Sequence, residues 1–556
     1  MDRIWLRHYP PGVPAEVDTL QFRSLGELFE SNTAKYRDRP AYTNMGRTIS
    51  FGDLERLSQA FGAWLQGKGL ARGARVAVMM PNCLQYPVCV FGILRAGYVV
   101  VNVNPLYTAR ELEHQLKDSG SEAIVILENF AHVLQQVVAR TPVKHVVVAA
   151  LGDLLGAKGM IVNFVVRRVK KMVPRWEIPG TIRFNAMIRE GERLDLKRVA
   201  VAHEDVAFLQ YTGGTTGVSK GAVLLHRNIL ANLEQAAAWL RPFVKEDEPQ
   251  AIVTALPLYH ILSLTANCLL MMKAGGCNIL ITNPRDIPGF VRELQKHKFT
   301  MFTGVNTLFN ALMNHPDFAK IDFSGLKVAL GGGMPVQKAV ADRWKKLTGC
   351  TLIEAYGLSE TSPAVTINPL DLKDYNGSIG LPISSTEVIL RGDDGNEPPL
   401  GSPGEICVRG PQVMKGYWNS PAETAKVLGS DGFLATGDIG AMDEKGYVRI
   451  VDRKKDMLLV SGFNVYPNEI EAVVAMLPGV LECAVIGVPD AHSGEVPKLF
   501  VVKRDASLTE AGIRKHCEAN LTGYKRPKII EFRKELPKTN VGKILRRALR
   551  EEAKKT

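Results

Sequence analysis

Several protein classes are excluded by what this chain lacks. Its 556 residues contain no uncharged apolar run of the ~18 residues that a membrane-spanning helix needs. The start, Met1 to Pro10, has no apolar signal core and no cleavage site, so a cytoplasmic protein is expected. Cysteine is sparse. Eight residues without a C-x-x-C pair argue against a disulfide framework or a zinc site, and suit a reducing compartment. No repeat or low-complexity tract interrupts the chain. The net charge of +12 comes without a zinc-finger or RNA-recognition signature, so no nucleic acid partner is expected. The basic balance points instead to nucleotide phosphates or an anionic membrane surface.

What is present is a hydroxyl- and glycine-rich loop, Tyr211-Thr-Gly-Gly-Thr-Thr-Gly-Val-Ser-Lys220-Gly221. Gly213, Gly214 and Gly217 let backbone N–H groups converge on a phosphate, because no Cβ holds the anion off. Thr212, Thr215 and Thr216 add hydroxyl donors or a magnesium ligand, and Lys220 adds a point charge. The loop does not end in Gly-Lys-Ser/Thr and lacks the G-x-G-x-x-G spacing, so it is neither a P-loop nor a Rossmann turn. A flexible Gly/Thr turn is the plain alternative, but turns seldom combine so many hydroxyls with a lysine.

Apolar runs at 75–80, 123–127 and 145–149 read as buried strands, with helical patterns at 54–65 and 108–116 between them. Further strands are expected at 251–255, 278–281 and 327–330. This alternation predicts α/β layers with largely parallel sheet. After about residue 375 the texture changes to short strands at 387–390, 405–408 and 447–451 between Gly/Pro/Asp turns, a small β-rich subdomain. The charged run Asp452-Arg-Lys-Lys-Asp456 follows, readable as a solvated turn. A compact α+β tail comes next, with helices at 467–477 and 508–521 and strands at 484–488 and 499–503.

The segment Met160 to Trp176 carries five basic residues and no acidic one. As a helix it would align Ile161, Phe164, Val165, Val169 and Met172 beside Arg167, Arg168, Lys170 and Lys171. Such a pattern fits a lipid interface or, equally, a surface helix docked on its own domain.

Eight motifs in fixed order then define a resemblance. After the loop come Pro257-Leu-Tyr-His260, Gly331-Gly-Gly-Met-Pro335, Glu354-Ala-Tyr-Gly-Leu-Ser-Glu-Thr361, Ala435-Thr-Gly-Asp438, Asp452 to Asp456, Ser461-Gly-Phe-Asn-Val-Tyr-Pro467 and Pro537-Lys-Thr-Asn-Val-Gly-Lys543. Together they resemble the acyl-adenylate-forming enzymes over nearly the whole chain. The run from Asp431 through Lys455 is similar to the fatty acyl-CoA synthetase signature. Residues 1–10, 102–107 and 282–286 resemble the bacterial long-chain fatty acid:CoA ligases.

The resemblance implies a large N-terminal domain over 1–451, with two α/β subdomains and the small β-rich one. A hinge at 452–456 and a mobile α+β domain over 457–556 would complete the chain. It implies a two-step reaction: a fatty carboxylate attacks the ATP α-phosphorus to give acyl-AMP and pyrophosphate, then the thiol of CoA takes the acyl group. Thr212, Gly213, Gly214, Thr215, Thr216, Gly217 and Lys220 would cradle the phosphates, and Thr215 and Glu360 would hold Mg²⁺. Gly332, Gly333, Tyr356, Gly357 and Thr361 would surround adenine and its neighbours, while Asp438 and Arg453 would hold the ribose. His260, Glu360 and Lys543 are the implied catalytic residues, with Lys543 bridging carboxylate and α-phosphate. Lys455 would be the hinge, Ser461 and Gly462 would line the CoA path, and Gly304 and Val305 the acyl tunnel.

Transient contact with an anionic membrane at the inner face of the cell and a homodimer are further expectations. The alternatives are an acyl-AMP ligase serving a carrier protein, against which the short hinge region speaks, and a medium-chain synthetase. No tryptophan follows His260, so the tunnel gate that some relatives carry there is not expected.

Overall fold

The computed structural model describes residues 3–212, 219–245, 248–461, 463–490, 492–539 and 542–554. Among these, two large sheets form the bulk of the chain. One has nine strands in the order Leu381–Pro382, Ala364–Ile367, Leu352–Gly357, Val328–Gly332, Met301–Gly304, Ala251–Thr254, Cys277–Leu280, Pro40–Asn44 and Arg47–Ser50. The other has eight, in the order Gly416–Tyr417, Lys220–Leu225, Val206–Thr212, Val99–Asn102, Arg75–Met79, Ala123–Leu127, His145–Ala149 and Ile182–Arg183. Their central strands pair in parallel, and helices cover them. This is why the strands read as unbroken apolar runs: Val76 to Met79 and Ile124 to Ile126 are buried on both faces.

Two helices start on capping boxes that the sequence supplies. Ser50 and Asp53 form a capping box at Phe51–Gln66, and Thr108 with Glu111 forms another at Ala109–Ser119. Gly120, left-handed at φ 61°, ends the second of these.

A four-stranded antiparallel sheet follows, Glu387–Arg391, Gly404–Arg409, Leu434–Met442 and Val448–Arg453. Beyond it the strands Leu458–Val460, Phe463–Val465, Val480–Asp490, Gly494–Lys503 and Ile529–Arg533 form a separate sheet. Helices Pro467–Ala475 and Glu510–Asn520 pack on it over a core of Ile470, Val474, Val485, Leu499, Val501 and Ile513. The expected α/β class with a small α+β tail is borne out.

The residues flanking the Gly/Thr-rich loop pair as antiparallel strands, Val206–Thr212 with Lys220–Leu225, to which the sequence reading assigned no element. One local expectation is corrected. The segment from Met160 is not one helix to Trp176. The α-helix Ala157–Phe164 passes into a π-turn over Val165–Val169 and stops, with Lys171 left-handed at φ 49°. Among the described residues no helix is long and apolar enough to cross a membrane.

Candidate active site

A cleft of about 1910 Å³ opens between the large sheets and the C-terminal sheet, lined from both. Its floor comes from strand ends. Val328–Gly332 and Leu352–Gly357 are adjacent parallel strands, and they deliver Gly333, Tyr356 and Gly357 to the same edge. Asp438 and Arg453 face each other across the antiparallel pair Leu434–Met442 and Val448–Arg453.

These side chains meet. The Tyr356 hydroxyl donates to Asp438 Oδ2 at 2.7 Å, and Arg453 Nε lies 3.2 Å from Asp438 Oδ1. Each carboxylate oxygen therefore has a partner, which compensates the burial of Asp438. Burial in this pocket raises the Tyr356 phenol far above its ordinary range, so it stays a donor.

Lys543 enters from the other side. Gly542, at φ 81°, turns the chain, and its carbonyl accepts from Thr307 Oγ1 at 3.2 Å. A Cβ at Gly333 would lie 3.5 Å from Lys543 Cε and 3.8 Å from Nζ, so a glycine there leaves room for the ammonium. Desolvation lowers the Lys543 pKa to about 8 and Arg453 pushes the same way, while Asp438 and Glu360 oppose them.

Glu360 sits in the short helix Ser359–Thr361, and its Oε1 accepts from the Tyr417 hydroxyl at 2.7 Å. At the base of the Gly/Thr-rich loop, Ser219 Oγ donates to the Thr212 carbonyl at 2.6 Å. Lys220 pairs with Glu423, itself also held by Lys426, and stands 5.2 Å over the Tyr417 ring.

His260 lines the cleft, and its Nδ1 accepts from Leu262 N at 3.4 Å. Desolvation, reinforced by Lys543, drops its pKa to about 3, so the ring is neutral at physiological pH. Lys455 also lines the cleft.

Other expectations fall elsewhere. Gly213, Gly214, Thr215, Thr216, Gly217 and Gly462 lie outside the described residues. Thr361 is buried and turned inward, its hydroxyl closing the local turn with Leu358 N at 3.0 Å rather than facing the cleft. Gly332 is buried too: a Cβ there would meet the Ala355 carbonyl and Leu262 at 3.3 Å. Neither Gly304 nor Val305 is a cleft-lining residue. Gly304 backs onto the Phe309 ring, which a Cβ would meet at 2.7 Å, and Val305 packs beside Gly542. Ser461, left-handed at φ 51°, is exposed and outside the cleft wall.

Sequence reasoning missed two groups. The apolar arm of the cleft is lined by Trp239, Leu240, Ile252, Leu270, Met301 and Val328, drawn from five separate elements. At the hinge run, Asp452 accepts from the backbone of Asn468 at 2.8 Å. Arg546 bridges Asp456 at 3.3 Å and Glu471 at 2.8 Å, and Arg550 reaches Asp456 at 2.7 Å. The charged run is therefore a turn with Lys454 and Lys455 exposed, anchored through its buried carboxylates Asp452 and Asp456. Only the repeated arginines at 546, 547 and 550 hinted at it.

The chain matches two family models, the AMP-binding enzyme over residues 29–418 and the AMP-binding enzyme C-terminal domain over 469–543. It is 60% identical over 554 residues to a long-chain-fatty-acid–CoA ligase of Yersinia pestis, covering 99% of this chain and 98% of that protein. It is 58% identical to the protein of the same name in Escherichia coli O6:H1, covering 100% and 99%. Among solved structures it is similar to an anthranilate CoA ligase in complex with anthranoyl-AMP, with a TM-score of 0.85 at 26% identity, covering 96% and 98%. The full-length identity, the two matched models and the shared architecture lead to one conclusion: the chain belongs to the AMP-binding enzyme family.

Proposed function

We propose that the chain is a long-chain fatty acid:CoA ligase that forms acyl-AMP from ATP and then acyl-CoA. The observation that carries this reading is the meeting of Lys543 with the Gly333 strand end, beside Asp438, Tyr356 and Arg453, in a cleft with an apolar arm. Polar groups for a nucleotide and an apolar pocket for a chain converge on one lysine.

In the first step both reactants are anions. A fixed cation between carboxylate and α-phosphate lowers their repulsion and stabilises the charge of the in-line transition state. Lys543 is that cation. Its ammonium is already desolvated, so it pays no reorganisation when the substrates arrive. Asp438 takes the ribose hydroxyls, with Tyr356 and Arg453 holding it in place. Neutral His260 offers its ring to the passage between acyl arm and phosphates without adding charge.

Glu360 is the described residue suited to Mg²⁺. Its carboxylate lines the cleft, and it would hold the ion as a hard oxygen donor. Thr215 would be its partner on the loop. The ion would neutralise phosphate charge. Trp239, Leu240, Ile252, Leu270, Met301 and Val328 would enclose the fatty chain.

For the second step, the C-terminal sheet would turn about Lys455, withdrawing Lys543 and bringing Ser461 and Gly462 to the CoA path. Asp452 lies before that pivot and Asn468 and Arg546 after it, so their contacts would open during the turn. Peripheral contact with the cytoplasmic face of the membrane belongs to the same reading, since the substrate is an amphiphile.

The test is product analysis with ATP, palmitate and CoA. AMP, pyrophosphate and palmitoyl-CoA in equal amounts are expected. ADP and phosphate would overturn the reading.

A further inference from the structure

The helix Ala157–Phe164 and the turn after it are oriented opposite to an ordinary surface helix. Met160, Ile161, Phe164, Val169 and Met172 are between 53% and 74% exposed. Among the described residues, these are five of thirteen exposed large apolar side chains, and they fall within thirteen positions of sequence. A soluble surface helix turns such a stripe inward. Here the inward contacts are of another kind. A Cβ at Gly159 would lie 1.9 Å from the Gly152 carbonyl, so the two backbones touch. Gly152 N donates to Asn163 Oδ1 at 2.8 Å, Lys158 Nζ donates to the Met45 carbonyl at 2.7 Å, and Val166 is buried.

Arg167 belongs to that anchor. Its guanidinium grips the buried Glu128 carboxylate through two bonds, at 2.8 and 2.9 Å, and so is not part of any free basic face. Trp176 is likewise half-buried under Arg183, 4.9 Å from its ring. The helix is thus fixed by glycine packing and polar bonds, and its apolar side is left outward.

Arg168, Lys170, Lys171 and Arg175 flank this apolar side. All four are exposed, none has an ion-pair partner among the described residues, and no acidic residue occurs from Ala157 to Trp176. We propose that this face docks on an anionic lipid bilayer, with Ile161, Phe164 and Val169 entering the headgroup region and the four basic residues on lipid charges. The inference rests on the ligase reading only in that an amphiphilic substrate gives the docking a use. A second copy of the chain is the poorer occupant, because pairing through this face would bring eight cations together. Apolar insertion and charge act together in interfacial binding, so each half should be needed.

The test is co-sedimentation of the full chain with vesicles of phosphatidylglycerol in phosphatidylcholine, against phosphatidylcholine alone. Two variants are compared with the wild type, Ile161→Ser/Phe164→Ser and Lys170→Glu/Lys171→Glu. Neither alters the Glu128 anchor. The wild type should pellet with the anionic vesicles at about 0.01 M salt and be released at about 1 M. The apolar variant should bind at least about ten-fold more weakly and the charge-reversal variant at least about thirty-fold. Acyl-CoA formation from fatty acid in detergent micelles and the thermal midpoint should be unchanged in both, which shows that the fold is intact. Equal pelleting of variants and wild type, or no pelleting of the wild type at low salt, overturns the proposal. So does a concentration-dependent dimer, seen by sedimentation velocity and lost in the Phe164 variant, without lipid binding. Loss of micellar activity in the wild type would strike the ligase reading and leave the lipid result standing.

Discussion

Thr307 Oγ1 donates to the carbonyl of Gly542 at 3.2 Å, joining the nine-stranded-sheet body to the residue before Lys543. The bond crosses from one part of the molecule to the other and fixes the chain where Lys543 lines the cleft. In Thr307→Val a single bond worth about 1 kcal/mol is lost, so adenylation should slow roughly five-fold. Transfer from supplied acyl-AMP to CoA should not slow, because the proposed turn about Lys455 withdraws Lys543 for that step. Equal slowing of both steps, followed by stopped-flow, would contradict this role for the contact.

The same separation is sharper at two other positions. Lys543→Ala should reduce adenylation by about a hundred- to a thousand-fold, the cost of one preorganised charge, and spare thioester formation. Lys455→Pro fixes φ at the pivot and should do the reverse, impairing the second step more than the first. Pyrophosphate release and acyl-CoA formation, measured separately, read the two. The assignment fails if Lys543→Ala harms the second step as much.

Much of this was legible beforehand, for a physical reason. Strands buried on both faces must be continuous apolar runs, so Arg75–Met79, Ala123–Leu127 and His145–Ala149 declare themselves. Tyr356, Asp438 and Lys543 were named only through the resemblance of their motifs to the acyl-adenylate-forming enzymes, since by local pattern Lys543 is one of many lysines in the chain. The acyl arm was not legible, since Trp239, Met301 and Val328 meet only in space. Nor was the lock of Arg546 on Glu471 and Asp456, which lie 75 and 90 positions away. Periodicity assigned Phe164 and Val169 to one face but carried no information on which way that face turns. Glycine contacts and Glu128 decide it.

Asp438 has both oxygens engaged, and this predicts a graded loss. Tyr356→Phe removes one charge-assisted bond, about 1.5 kcal/mol, so KM for ATP should rise roughly ten-fold. Asp438→Ala removes the ribose acceptor itself and should raise it about a hundred-fold, near 3 kcal/mol. KM for the fatty acid should change little in either. A larger effect on the fatty acid than on ATP would remove Asp438 from the nucleotide site.

Rising pH should cost adenylation its lysine charge. Burial holds the Lys543 pKa down to about 8, and the reacting form is the ammonium. In kcat/KM for adenylation, activity is therefore full below that value and falls as pH rises through it. Lys543→Arg should shift the falling limb upward, since arginine stays charged, even though the rate is lower. His260, at about 3, should add no limb near pH 6, where an ordinary histidine titrates. A limb near pH 6 that disappears in His260→Gln would contradict its neutral role.

The central claim is that a fatty carboxylate oxygen attacks the α-phosphorus of ATP. It is tested most directly with palmitate labelled with ¹⁸O in its carboxylate, turned over with ATP and CoA and followed by mass spectrometry. The new C–O–P bridge contains a palmitate oxygen. When the CoA thiol displaces AMP from the acyl carbon, that oxygen leaves on the phosphate. One ¹⁸O atom per AMP, with unlabelled pyrophosphate, is the predicted result. Unlabelled AMP, or label in pyrophosphate or in inorganic phosphate beside ADP, would contradict it.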